Sequence, residues 1–286
     1  MTRRVLQLGA HVSIAGGLHR ACDRAAALGC TTMQIFTKNA SQWRAAAVTA
    51  AAAREFRAAA AAHGVDPVLA HTAYLINLAS TDDATRARSV AALTDEIDRA
   101  GLLGIPYLVL HPGAHGGAGE EAGLAAVARG LDRALTAAAT DAVMILLETT
   151  AGQGTCLGHR FAHLAALRAQ SRYPDRLGIC LDTCHVFAAG YDISTVAGVR
   201  RTLAVFDREV GLRQLRALHL NDALKPCGSR VDRHTHIGEG HIGDAGFRAL
   251  LAQARVRALP MLLETPKGDD DEMDRCNLNR LRQLGG

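Results

Sequence analysis

Aromatic residues are scarce in this sequence, at 4% of 286 positions with a single Trp. Its seven cysteines are odd in number and contain no C-x-x-C pair, so neither a disulfide framework nor a cysteine zinc knuckle fits. A reducing compartment, the cytoplasm, is the expectation. No stretch approaches the roughly 20 uninterrupted apolar residues that a membrane span requires. The opening, 1–4 followed by the apolar 5–10, is too short for a signal peptide, so a soluble, non-exported protein without a membrane partner is expected. An excess of one charge is lacking as well. Lys and Arg number 32 against 28 Asp and Glu, a balance of +4 that permits an anionic partner without singling out nucleic acid. There is no Pro/Gly/Ser linker and no internal repeat, which predicts one domain over 1–286.

What is present is a globular composition, 49% hydrophobic and 21% charged, which excludes disordered and collagen-like chains. Thirteen histidines stand out, because imidazole is the side chain most often recruited as a metal ligand. Short β-rich runs occur at 5–10, 32–37, 67–71, 107–111, 143–148, 177–182, 217–221 and 261–264. Helical stretches lie between them, near 17–28, 49–63, 82–101, 120–139, 159–170, 195–210, 244–254 and 270–283. Gly64, Gly101 and Gly211 stand where helix C-caps are expected, and Asp141 marks another break. The Ala-rich window 45–62 reads as helix rather than disorder, since Ala is the best helix former. Eight alternating strand and helix units predict an α/β fold, a single-domain TIM (β/α)8 barrel, with a doubly wound open sheet as the alternative.

In such a barrel chemistry collects where the strands end. His71, His111, Glu148 and Asp182 end the third to sixth predicted strands, His219 lies near the end of the seventh, and Glu264 ends the eighth. His185, Asp232 and His234 lie in the loops that follow. Any one of these alone is an ordinary structural or solvated group. Nine on one rim would be costly in desolvation and repulsion without divalent cations to turn them into ligands. All are nitrogen or oxygen donors, which suits Zn²⁺, with Mn²⁺ or Fe²⁺ as substitutes, in a cluster of two or three ions.

Longer motifs surround these residues. E-T-T-A-G-Q-G at 148–154, D-T-C-H-V-F-A-A-G-Y-D at 182–192, H-L-N-D at 219–222, G-S-R-V-D-R-H at 228–234, G-E-G-H-I-G at 238–243 and L-E-T-P at 263–266 resemble the endonuclease IV family of apurinic/apyrimidinic (AP) endonucleases. G-A-H-V-S at 9–13, A-G-G-L at 15–18, F-T-K-N at 36–39 and H-P-G-A at 111–114 agree. The resemblance implies a TIM barrel with three zinc ions that cuts double-stranded DNA 5′ to an abasic site, with activity toward damaged 3′ ends also implied. It implies one zinc on His71, His111 and Glu148, and a second on Glu148, Asp182, His219 and Glu264. The third would sit on His185, Asp232 and His234. Glu148 and Glu264 would then be central to catalysis. Two ions joined by Glu148 would acidify a shared water, while the third would stabilise charge on the phosphate. No organic cofactor is implied, Cys184 has no catalytic part, and a monomer is expected.

DNA contacts are expected from loops around the rim. The stretch 37–44 supplies Lys38, Asn39, Gln42, Trp43 and Arg44, a mixture suited to phosphate contact and base-edge packing. Tyr74 matches a family position near the damaged nucleotide, although by sequence it reads equally as core. Lys225, Arg230 and Arg233 are further phosphate-binding candidates. Three positions depart from the family pattern: Ser41 in place of Arg, Leu224 inserted before Lys225, and Thr149 in place of Asn after Glu148. Two rival readings remain. One is a sugar isomerase or epimerase using Glu148, Asp182, His219 and Glu264 alone, and the other is a non-catalytic binder of damaged DNA with structural zinc.

Overall fold

The computed structural model describes residues 6–268 and 271–286. Residues 1–4, the expected strand start at Val5 and the expected helix start at Asp270 lie outside the described residues. The barrel strands are β1 (Leu8–Ala10), β2 (Met33–Phe36), β3 (Val68–His71), β4 (Tyr107–Leu110), β5 (Met144–Glu148), β6 (Leu177–Asp182), β7 (Leu215–His219) and, after two short ones, β10 (Met261–Leu263). All pair in parallel, in the order β1-β10-β7-β6-β5-β4-β3-β2. A parallel bridge between His11 and Gln34 joins the two ends, and the Val12 amide donates to the Gln34 carbonyl at 2.9 Å. A doubly wound sheet has open edges, so this closure excludes it. Gly9 permits the approach at the seam: a Cβ there would stand 1.9 Å from the Thr32 carbonyl oxygen.

Strand periodicity of two explains where the polar residues go. Leu69, Val109, Leu146, Cys180, Ala217 and Leu262 form a buried cluster inside the barrel, while alternate residues such as Ala70, Leu108, Ile145, Ile179 and Leu218 belong to the larger core shared with the helices. The next inward position on each strand is His71, His111, Glu148, Asp182, His219 and Glu264 in turn. These side chains therefore form the polar layer that caps an apolar one.

The surrounding helices are α1 (Leu18–Ala27), α2 (Ala50–His63), α3 (Asp83–Leu103), α4 (Glu120–Ala137), α5 (Phe161–Gln170), α6 (Thr183–Ala188), α7 (Val196–Glu209), α8 (Gly243–Leu251), α9 (Ala254–Arg257) and α10 (Glu272–Gly285). Side chains of Thr49, Asp82 and Thr195 cap α2, α3 and α7 at their N-termini. Gly64 ends α2 as expected. Gly101 does not end α3, which continues to Leu103 and a left-handed Gly104. Gly101 is needed for packing instead, because a Cβ there would lie 2.6 Å from Thr140 Cγ2. The short α6, directly after β6, was not expected, and the expected helix at 244–254 is broken into α8 and α9. In the long segment after β7, β8 (Asp222–Ala223) and β9 (His234–Thr235) form a small antiparallel ladder. Among the described residues, no helix is long and apolar enough to cross a membrane.

Candidate metal centre

The rim brings together three groups in which one ligand atom per residue lies within 4.8 Å of the others: His71, His111, Glu148; Glu148, Asp182, His219, Glu264; and His185, Asp232, His234. In the first, His71 Nδ1 donates to the Thr72 carbonyl at 2.8 Å, leaving Nε2 3.1 Å from Glu148 Oε2. His111 Nε2 approaches the same oxygen at 2.8 Å. The other oxygen, Oε1, lies 2.9 Å from His219 Nδ1, so Glu148 serves the first two groups with opposite lone pairs. His219 Nδ1 also stands 3.1 Å from Glu264 Oε2 and 4.0 Å from Asp182 Oδ2.

The third group is formed by the loops. His185 Nδ1 donates to the Thr149 carbonyl at 2.8 Å and His234 Nδ1 to the Glu264 carbonyl at 3.1 Å. The β8–β9 ladder fixes His234, and α6 carries His185 on its first turn. Their Nε2 atoms then face each other at 3.4 Å, with Asp232 oxygens 3.1 and 3.4 Å away. With both Nδ1 atoms committed as donors, the two Nε2 atoms are opposed beside a carboxylate, and deprotonation leaves their lone pairs facing one another. A cation between them relieves that opposition, and the nitrogen and oxygen donors of all three groups fit zinc.

Asp182 is anchored at both carboxylate oxygens and at its amide. Its Oδ1 accepts from the His185 amide at 2.8 Å, and its Oδ2 accepts from Asn221 Nδ2 at 2.6 Å. Its own amide donates to Thr149 Oγ1 at 2.9 Å, so the Thr at this departure from the family pattern ties β5 to β6.

Electrostatics follow this packing. Burial opposes ionisation of Glu148, yet attraction to His111 and His219 holds its carboxyl well below the usual range. Glu264 is likewise held well below it, burial being outweighed by His219 and by hydrogen bonds with His11 and His219. Burial would lower His185, but Asp182 and Asp232 push it well above the ordinary imidazole value. His219 is raised well above that value too, against burial, by Cys180, Glu264 and Glu148.

Two other arrangements do not extend the centre. Glu120, His159 and His163 also converge, but the Arg160 guanidinium bonds both Glu120 and His163 and is already the cation there. Cys184 is fully buried, and burial pushes its thiol up to about 12, so it has no nucleophilic part.

The expected DNA-facing residues divide. Lys38 is a correction: it is only 4% exposed, with Nζ 2.9 Å from Asp95 Oδ2 and 3.5 Å from Glu96 Oε1 on α3, and it donates to the Trp43 carbonyl. It anchors the loop after β2 rather than presenting a charge to phosphate. Trp43 is half-buried against the core with Arg88 over its ring, at 5.4 Å from the centroid. Asn39, Gln42 and Arg44 are exposed in the same loop, as is Ser41, whose amide donates to Asn39 Oδ1. Tyr74 is not core: it is 72% exposed, edge-on to Phe36 at 5.3 Å. Lys225, Arg230 and Arg233 are exposed around the β8–β9 ladder, and Leu224 turns outward at 50% exposure. A cleft of about 290 Å³ opens onto the centre, walled by Phe36, Tyr74 and Lys267. Sequence reading passed over Lys267, and also Gln34, which reaches Glu264 from the layer below, and His11, which lies beside Glu264 in the cleft wall.

Fold and donor layer define the class: the Xylose isomerase-like TIM barrel family matches residues 22–283. A probable endonuclease 4 of Chloroflexus aurantiacus is 52% identical over 278 residues, 97% of this chain and 98% of its own length, and one of Geobacter sulfurreducens is 51% identical over 97% and 94%. The crystal structure of endonuclease IV from Thermus thermophilus superposes with a TM-score of 0.86 at 39% identity, covering 97% of this chain and 98% of that one. The chain belongs to the endonuclease 4 family. A D-psicose 3-epimerase from Clostridium cellulolyticum H10, at 14% identity and a TM-score of 0.65 over 98% and 96% of the two chains, shares the fold alone.

Proposed function

We propose that this chain hydrolyses double-stranded DNA 5′ to an abasic site, leaving a 3′-hydroxyl and a 5′-deoxyribose phosphate, with three zinc ions held by the three groups. The observation that carries the reading is the complete set of nine donors in three groups on one rim, the first two sharing Glu148. Mn²⁺ or Fe²⁺ would substitute most readily in the carboxylate-rich second group. When bound, the ions supply Lewis-acid charge and a water acidified toward neutral pH. Glu148, kept ionised, would be the ligand common to the first two groups. Glu264 completes the second group from the wall of the cleft, and Asp232, 43% exposed, faces the mouth where a phosphate enters. Asn39, Gln42, Arg44, Tyr74, Lys225, Arg230 and Arg233 then grip the duplex around that mouth. A nucleotide without a base costs little to unstack, which favours its entry into the cleft. All nine donors come from one chain, so a monomer suffices. Activity at damaged 3′ ends uses the same phosphate site.

The sugar isomerase reading needs only the four-residue group and leaves His71, His111, His185, Asp232 and His234 without work. The test is incubation with an abasic duplex and end-group analysis of the products. A 3′-hydroxyl and a 5′-deoxyribose phosphate are expected. An intact duplex that is bound would favour a non-catalytic binder, and an intact, unbound duplex would remove the proposal.

A further inference from the structure

We propose that Gln34 is the positioning residue of the four-residue group, selecting which nitrogen of His219 and which oxygen of Glu264 face a cation. The proposal deepens the metal reading above and rests on it. Gln34 lies on β2 one layer below the ligands, fully buried. That layer is apolar on six other strands, where Leu69, Val109, Leu146, Cys180, Ala217 and Leu262 fill it. A primary amide placed there must have all its partners.

Those partners are specific. Gln34 Nε2 stands 2.6 Å from Glu264 Oε1 and 3.0 Å from His11 Nδ1, and its Oε1 stands 2.8 Å from His219 Nε2. A carboxylate oxygen at 2.6 Å accepts and does not donate, so the amide must offer it the NH₂ end. The oxygen end then faces His219, whose Nε2 must carry the proton. The lone pair of His219 is thereby placed on Nδ1, beside Glu148 Oε1 and Glu264 Oε2, and Glu264 Oε1 is taken up by the amide. His71, His185 and His234 are oriented the other way, each through an Nδ1 bond to a backbone carbonyl. Of these four rings, His219 is the one whose orientation rests on a side chain, and that side chain comes from the far side of the barrel.

The experiment uses the full chain loaded with zinc, comparing wild type with Gln34→Met and Gln34→Asn. Bound zinc is measured against a graded chelator, alongside melting of the metal-free proteins and single-turnover cleavage and binding of an abasic duplex. Gln34→Met should weaken one zinc roughly 10- to 100-fold, leave the others unchanged and slow cleavage without weakening duplex binding. Gln34→Asn keeps the amide but is too short to span both partners, so it should fall between, and it carries the test if Gln34→Met does not fold. Variants that melt lower yet hold every zinc as tightly as wild type would overturn the positioning role and leave the metal reading standing. Wild-type protein that holds no zinc in this group would overturn both.

Discussion

The rim of the barrel and the loops beyond it solve different problems. At the rim most donors are fixed twice, by the strand beneath and by a hydrogen bond to an outer atom, as with His71 on Thr72 and Asp182 on Asn221. In the loop after β2 and around the β8–β9 ladder, Gln42, Arg44, Lys225 and Arg233 are exposed. A cation demands geometry that a strand end can hold, whereas a flexible polyanion demands charge within reach. Substitution at the rim should therefore affect rate, and substitution in the loops should affect affinity and its salt dependence.

The sharpest way to break this comparison is Glu264→Gln. It removes one negative charge from the second group while keeping shape, so single-turnover cleavage should fall by roughly 10³-fold, with abasic-duplex binding little changed. Cleavage near the wild-type rate would remove Glu264 from the reacting site.

Lys38→Met is next. Removing the ammonium leaves Glu96 buried at 1% exposure with its charge uncompensated, which should cost about 3 kcal/mol of stability. Chemical denaturation should show that loss, and the salt dependence of DNA binding should stay at its wild-type slope. A shallower slope with unchanged stability would return Lys38 to the group of phosphate contacts.

Chelator-stripped protein should show a pH profile that the loaded protein lacks. Glu148 and Glu264 are held below the ordinary 4.5, so their contribution to stability is present above that pH and is lost as pH falls through the lowered values. His185 and His219 are raised above 6.5, so theirs is complete below that pH and is lost as pH rises through the raised values. Melting of the metal-free protein should therefore peak between these limits and decline on the alkaline side. Zinc should abolish the alkaline decline, because deprotonated rings become ligands. An alkaline limb unaffected by zinc would contradict the arrangement of the rings.

The smallest effect belongs to Ser41→Arg. A cation added to this exposed loop should steepen the logarithmic salt slope of abasic-duplex binding by about one and leave turnover at saturating DNA unchanged. An unchanged slope would mean that Arg44 already supplies the contact.

The same division governs what could be read without coordinates. His71, His111, Glu148, Asp182 and Glu264 are legible because each ends a β-rich run, and strand periodicity then turns all five inward together. His185, Asp232 and His234 are legible as candidates from their place in the loops after the sixth and seventh strands, and the motifs around them assign them to one group. Gln34 was not legible: a glutamine in a strand carries no signal until β7 and β10 close against it. Lys38 was misread for the same reason. In sequence it stands among Asn39, Gln42 and Arg44, and its partners Asp95 and Glu96 approach only when α3 packs behind the loop. Gly101 looked like a helix stop because the approach of Thr140, which needs a glycine there, is a tertiary contact.

The central claim is that one rim holds three ions, two of them on groups that share Glu148. Elemental analysis of purified protein, paired with cleavage rate as zinc is restored stepwise to the stripped enzyme, tests it most directly. Full activity should return only as bound zinc approaches about three per chain. Full activity at one ion per chain would contradict the account and favour a mononuclear enzyme built on the four-residue group.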